Sequence, residues 1–304
     1  MELWNSNLFI YKQIKNNHML NKEKVETIKN LYLNGIKVKR KQKIFKDNII
    51  GLRKSNIPYN LDSGELIEYS KCYNDIYYFI EKYLNIKLYP YQKKIIKHYE
   101  ENRFSIYMNS IQMGLNRILA CVFLHEIIFN VDTSILLVYN KTTELEEHNN
   151  IFKSLYLKLP FYLQSGTNIW NHNNIKLDNG CSISFRTKSK YASIGHDYNT
   201  IMLLDFSKYY PNVANKIMAD VVPIQMSRKN TKLIIQSQPN GYNHFIKLVE
   251  NSERKELDPS KNIFNTLRTY WWEHPNRKET WKENQIKIVG EDFFSKNFEF
   301  KFNI

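Results

Sequence analysis

Apolar positions recur at helical spacing from Ile10 to Leu33, which predicts an opening helix, and the chain then enters Lys37-Val38-Lys39-Arg40-Lys41-Gln42-Lys43. A second helical pattern runs from Ser63 to Tyr83, with Leu66, Ile67, Tyr69, Cys72, Ile76, Phe79 and Ile80 on one broad apolar face. After Tyr89-Pro90-Tyr91 the rhythm changes to short apolar runs separated by helices, the mark of a mainly parallel α/β sheet. The predicted strands are Phe104 to Asn109, Ser134 to Tyr139, Thr200 to Asp205 and Leu233 to Gln236. A helix from Asn116 to Phe129 has the right length for a crossover between the first two. A hairpin is expected near Lys176 to Phe185, where Asp178-Asn179-Gly180 supplies turn residues that tolerate positive φ. These patterns divide the chain into a basic extension (1–60), a helical lead-in (61–88) and an α/β core with an exit segment (89–304).

Charge adds a partner to this picture. The sequence carries 44 Lys plus Arg against 30 Asp plus Glu, a net charge of +14, so a polyanion is the first partner to consider. Asn, Lys, Ile and Tyr are abundant throughout, which raises Lys on compositional grounds as well. Lys37, Lys39, Arg40, Lys41 and Lys43 form the densest basic run, either a phosphate-contacting arm or a solvated linker. Lys188 and Lys190, in the stretch Thr187 to Tyr191, are the second candidate for phosphate contact. The 21 tyrosines suit packing better than base stacking.

Several classes are set aside. Cys72, Cys121 and Cys181 lie far apart and define neither a disulfide framework nor a zinc knuckle, which fits a reducing, intracellular compartment. The eight histidines are scattered and make no metal site. The longest apolar stretch, Ile118 to Phe129, contains His125 and Glu126 and is shorter than the roughly 20 residues of a bilayer span, so no membrane association is expected. The N-terminus, Met1-Glu2-Leu3-Trp4-Asn5, has no secretion signal.

Ligands of open α/β sheets sit at the carboxyl ends of the strands, which directs attention to Ser110–Arg117, Phe206–Pro211 and Ser237–Asn243. Ser110-Ile111-Gln112-Met113-Gly114-Leu115-Asn116-Arg117 follows a strand and opens a helix, the location of a phosphate-binding loop. Such a loop needs backbone N–H groups, a Lys for the β and γ phosphates and a Ser or Thr hydroxyl for magnesium. Gly114 is present, but Leu115 stands in the place of the Lys and Asn116 in that of the hydroxyl residue.

In order along the chain, further segments carry a family resemblance. They are Ser70-Lys71-Cys72-Tyr73-Asn74-Asp75-Ile76-Tyr77-Tyr78-Phe79, Leu88-Tyr89-Pro90-Tyr91-Gln92, the loop just described, Leu159-Pro160-Phe161-Tyr162-Leu163, Asn168-Ile169-Trp170-Asn171 and the Ile175–Ile183 hairpin. Gly195, Ile201–Asp205, Gln238-Pro239-Asn240-Gly241-Tyr242-Asn243-His244-Phe245, Trp271-Trp272-Glu273-His274-Pro275-Asn276-Arg277 and Trp281-Lys282 complete the series. Together, over about residues 60 to 302, they resemble the ATPase domain of the large terminase subunit of contractile-tailed phages. The resemblance implies a P-loop NTPase-like fold and a nucleotide site at Tyr91, Gln92, Ser110, Gln112, Gly114, Leu115, Asn116 and Arg117. It implies Asp205 as catalytic and magnesium-binding residue and Gln238 as coupling residue. ATP and Mg would be the cofactors, and double-stranded DNA, a portal ring and other terminase subunits the partners, in the host cytoplasm. The sequence departs from the family in the working parts. The family's Arg and Lys are Ile111 and Leu115, its Thr is Asn116, the Arg before the glycine is Ile194, and its acidic pair is reduced to Leu204-Asp205. Asp205 serves equally well as a cap of the loop that follows it. The expectation is a terminase-like domain with weak or lost hydrolysis and no nuclease domain in the chain. The alternatives are an active motor subunit with an unorthodox nucleotide site and a separately encoded nuclease chain, or a helicase-like or recombination protein sharing only the sheet.

Overall fold

The computed structural model describes residues 52–57, 59–189 and 197–301. The predicted opening helix, the basic residues Lys37, Lys39, Arg40, Lys41 and Lys43, and Lys190, Ile194 and Gly195 lie outside the described residues.

The helical lead-in begins with α1 (Ser63–Asn74), started by a capping box in which Asp62 accepts from the N–H of Glu65 and Glu65 accepts from the N–H of Asp62. A short helix (Ile76–Tyr78) and a π-turn (Phe79–Tyr83) follow, and α2 (Pro90–Glu101) starts at the proline, whose missing N–H is no loss at a helix start. Then come β1 (Phe104–Asn109), α3 (Leu115–Phe129), β2 (Ser134–Tyr139), α4 (Thr142–Tyr156), β3 (Thr167–Trp170), β4 (Asn174–Leu177), β5 (Ser182–Thr187) and β6 (Thr200–Leu204). The chain continues through α5 (Pro211–Ser227), β7 (Lys232–Gln236), α6 (His244–Ser252), β8 (Asn265–Thr269), α7 (Glu279–Val289) and α8 (Glu291–Phe298).

The eight strands form one sheet in the order β3-β4-β5-β2-β6-β7-β1-β8. The pairs β1/β7, β1/β8, β2/β6 and β6/β7 are parallel, and β3/β4 is antiparallel. The mainly parallel α/β class expected from the apolar runs is therefore the one observed. β1 and β2, joined through α3, are separated by β7 and β6. All residues of β1 and of β6 are buried, the polar Ser105 and Asn109 of β1 included, as in strands covered on both faces.

Contacts divide the chain into two compact units, one of residues 1–87, 124–133 and 153–182, the other of 88–123, 134–152 and 183–304. In the second unit the period of two along β1 sorts its side chains. Phe104, Ile106 and Met108 join Leu136, Val138, Ile201, Leu203, Leu233 and Ile235 in a core closed by Ala214, Ile217 and Val221 of α5 and Phe245, Ile246 and Val249 of α6. Each of these Val, Leu, Ile, Phe and Met side chains contributes roughly 1.5–3 kcal/mol when fully buried. Of the intervening β1 residues, Tyr107 meets α2, donating from its hydroxyl to the carbonyl of Ile95 and meeting the His98 ring edge-on.

In the first unit, β3 and β4 pair beside Trp170, which meets Tyr156 edge-on. The predicted turn after β4 requires its glycine. Gly180 has φ +82°, and a Cβ there would lie 2.0 Å from Asp132 Oδ1. Among the described residues no helix is long and apolar enough to cross a membrane.

Candidate phosphate-loop site

β1 delivers the chain at Asn109 to the loop that opens α3. Two residues of this loop have positive φ, Gln112 at 59° and Gly114 at 73°. Gly114 is there for its backbone conformation, since the nearest atom to a Cβ built on it is Gln92 Nε2 at 3.6 Å, so space is not the constraint. Among the described residues, the N–H groups of Gln112 and Gly114 and of the first turn of α3 donate to no protein group, while the turn at Ile111-Gln112 brings the Met113 N–H back towards the Ser110 carbonyl. The first N–H groups of a helix have no partner within it, and together with the helix dipole they favour an anion.

The side chains of the loop tell a different story from its backbone. Leu115, in the lysine position, is turned into the core at 5% exposure. Ile111, where the resembled family has an arginine, packs against the cluster of Trp271, Phe294 and Phe298. Asn116 keeps its Oδ1 buried with no hydrogen-bond partner among the described residues. Ser110 is committed to structure, its Oγ donating to the carbonyl of Phe298 at 2.6 Å and its N–H to that of Thr269 at 2.9 Å. The Ile111 N–H donates to the carbonyl of Asn297 at 3.2 Å, so α8 braces the entry to the loop. Arg117 is exposed on the first turn of α3.

On one side of the loop lies an aromatic nook. Tyr91 and Gln92 are both buried there. The Tyr91 hydroxyl donates to the carbonyl of Met113 at 3.1 Å, and Gln92 Nε2 donates to the Tyr91 hydroxyl at 3.3 Å. Gln92 Oε1 accepts from the N–H of Tyr89, so the glutamine also caps α2. His274 lies with its ring centroid 5.0 Å from Tyr89 and 5.9 Å from Tyr91. Arg277 stacks over Trp281 at 4.5 Å and reaches the loop, donating from Nη2 to the carbonyl of Gln112 at 2.8 Å and from Nη1 to that of Ile111 at 3.4 Å. Burial pushes the Tyr91 phenol up and the Arg277 guanidinium down.

The acidic side is equally altered. Asp205 follows β6 in the left-handed conformation, with φ 53°. Its carboxylate accepts from Lys208 Nζ at 2.6 Å, and its N–H donates to Gln236 Oε1. Glu144, in the first turn of α4, has its carboxyl pKa raised by burial and next by the charge of Asp205. His148, one turn further along, accepts or donates at Nδ1 with the Tyr139 hydroxyl at 2.9 Å, and burial pushes its pKa down to about 4. Gln238 Nε2 donates to the carbonyl of Asn109 at 3.3 Å, joining the ends of β7 and β1. The Asn109 side chain, buried at that junction, has no partner for either polar atom among the described residues. Lys188, after β5, donates to Asn140 Oδ1 and to the carbonyl of Lys208, with its ammonium 5.1 Å from the Tyr210 ring centroid.

These donors fit the phosphates of a nucleotide in part and a resident magnesium ion poorly. The backbone N–H groups are open to an anion, but the loop brings no lysine. Asp205 is already paired with the Lys208 ammonium, and among the described residues no group of three His, Cys, Asp or Glu is placed to hold a metal ion. Tyr91, Gln92, Ser110, Gln112, Gly114, Leu115, Asn116 and Arg117 are thus gathered at one strand end, and Asp205 and Gln238 at neighbouring strand ends.

Three residues here were not singled out from sequence. Glu144 sits after β2, outside the three strand-end loops to which the sequence points; its position three residues after Lys141, whose N–H it accepts, is a readable helix-start signal. His274 and Arg277 lie more than 150 residues from the loop in sequence, and only the chain's return through β8 brings them to it.

No family profile matches the chain. Among solved structures, the large terminase ATPase domain of Thermus phage P74-26 superposes with a TM-score of 0.57 at 11% identity, over 73% of this chain and 97% of that one. The large terminase of bacteriophage HK97 gives a TM-score of 0.56 at 12% identity, over 74% of this chain and 54% of that one. The large terminase of a thermophilic bacteriophage, in complex with ADP, gives 0.51 at 13% identity, over 70% and 53%. The chain therefore shares the fold of phage large terminase ATPase domains.

Proposed function

We propose that this chain is a terminase-like ATPase-type domain of phage DNA packaging, one that binds double-stranded DNA or the packaging assembly and in which ATP hydrolysis is weak or lost. The observation that carries the second half is the phosphate loop, whose N–H groups are open while the lysine position holds the buried Leu115. The thermophilic phage's terminase is in complex with ADP, and the same fold here supports a nucleotide at the loop. In this site α3 and the loop backbone would hold the phosphates, Tyr91 and Gln92 would border the base, and Asp205 is tied to Lys208. A nucleotide supplies the γ-phosphoryl group that such folds transfer. Phosphoryl transfer works through positioning and charge, and removal of one charged or hydrogen-bonding group costs on the order of 10²–10³ in rate. Loss of the lysine, the hydroxyl and one carboxylate together leaves little turnover.

Glu144 supports a second reading, an active motor with an unorthodox site, because it returns a second carboxylate to the neighbourhood of Asp205. Calorimetric titration with ADP, together with steady-state hydrolysis of ATP, separates the readings. The first expects binding with no turnover sensitive to Glu144→Gln or Asp205→Ala; the second expects turnover that both substitutions abolish. Absence of ADP binding would sink both.

For DNA, the charge of +14 supplies the attraction, with Lys188 and Lys208 on the carboxyl edge of the sheet and the basic run and Lys190 as further contacts. Neutralised phosphates release counterions, so affinity should fall steeply with salt. A portal ring, other terminase subunits and a separate nuclease chain are the partners this reading implies.

A further inference from the structure

The nucleotide reading leaves the loop without a lysine, yet three consecutive carbonyls of the loop are held from one side. Arg277 donates to the carbonyls of Ile111 and Gln112, and Tyr91 donates to that of Met113. A trans peptide points its C=O and N–H in opposite directions. Pinning these three carbonyls in the nook therefore sends the N–H groups of Gln112, Met113 and Gly114 away from it, and among the described residues no protein group accepts from those of Gln112 and Gly114. The positive φ of Gln112 and of Gly114 curves the same stretch. Successive N–H groups on a chain bent through left-handed residues form an anion-binding nest. A non-glycine residue in that conformation costs on the order of 1–3 kcal/mol, and something must hold Gln112 there.

Arg277 is suited to the task. Its guanidinium is planar and forked, so one side chain reaches two adjacent carbonyls. It is fixed by stacking on Trp281 and by a contact from Nη1 to Met113 Sδ at 3.3 Å. Among the described residues no carboxylate pairs with it, so its charge is left uncompensated beside the nest.

We infer that Arg277 is the positioning residue of the phosphate loop, and that its fork, with the Tyr91 hydroxyl, shapes a backbone nest that takes a di- or pyrophosphate group without help from a loop lysine. This rests on the nucleotide reading above and adds the residue that makes it workable. Ile111 and Leu115 are free to be apolar because the loop is shaped from outside by a residue of the exit segment.

The test is calorimetric titration of the full chain with inorganic pyrophosphate, ADP and adenosine. Wild type should bind the first two. Arg277→Gln should weaken both on the order of 10- to 100-fold while leaving adenosine unchanged, the range expected for hydrogen bonds to a charged group. Arg277→Lys, which keeps the charge but loses the fork, should remain weak. Tyr91→Phe, which removes one hydroxyl and keeps the ring, should weaken pyrophosphate less, and it serves as the test should the Arg277 variants not fold. Unchanged pyrophosphate binding in Arg277→Gln, or full recovery in Arg277→Lys, overturns the positioning role and leaves the nucleotide reading intact. A wild-type chain that binds neither ADP nor pyrophosphate overturns both.

Discussion

Replacing Leu115 by lysine is the perturbation that separates loop chemistry from loop packing. Leu115 is 5% exposed, so its side chain belongs to the core on the first turn of α3. Withdrawing a buried leucine from that contact costs about 2–3 kcal/mol. For a chain of this size 1 kcal/mol moves the melting temperature by roughly 2–4 °C, so Leu115→Lys should lower Tm by about 4–12 °C without ligand. The same substitution places an ammonium at the start of α3, where a phosphate on the open N–H groups would need it. A saturating nucleotide that gains tenfold in affinity adds about 1.4 kcal/mol of stabilisation. The assay is thermal melting with and without ADP. The ligand-induced rise in Tm should be larger for Leu115→Lys than for wild type, although the unliganded variant is less stable. A variant as stable as wild type without ligand would mean that Leu115 is not a core residue. One that loses stability but gains nothing from ADP would mean that the missing lysine is not what limits the site.

Other perturbations test other parts of the structure. His148 has a folded pKa of about 4, below the ordinary 6.5, so its contribution to stability is full above pH 6.5 and is lost as pH falls through about 4. Melting between pH 7 and pH 4 should fall less steeply in His148→Gln than in wild type. Glu144 has a raised carboxyl pKa, so its contribution is present below the ordinary carboxylate range and is lost as pH rises through the folded value. Glu144→Gln should therefore gain stability relative to wild type as pH rises from acid to neutral, and a flat difference would contradict the burial assigned to it. Gly180→Ala meets both a φ of +82° and Asp132 Oδ1 at 2.0 Å, so it should cost about 1–3 kcal/mol in denaturant unfolding. DNA binding, followed by anisotropy, should weaken at least tenfold between 50 and 200 mM salt; affinity unchanged over that range would refute an electrostatic role.

The core of the fold was legible because its strands are short, apolar and flanked by helices. Phe104–Asn109 and Ser134–Tyr139 are where the pattern puts them, and α3 begins one residue earlier than expected. β8 was not legible: Asn265-Thr266-Leu267-Arg268-Thr269 carries one aliphatic residue, and its strand character comes from pairing with β1. β3 was quoted only as a motif, since four residues with Trp170 at the end give no period. The phosphate loop was legible from its place between a strand and a helix. What turns its backbone is Arg277, and a contact across that much chain leaves no local signal. The reduction of the acidic pair was also read along the sequence, whereas Glu144 approaches Asp205 only in space.

The central claim is tested most directly by steady-state ATP hydrolysis of the purified full chain, with and without double-stranded DNA, set against Asp205→Ala. Wild type and Asp205→Ala should both be indistinguishable from background even at nucleotide concentrations that saturate binding. Turnover by wild type that disappears in Asp205→Ala would contradict that claim.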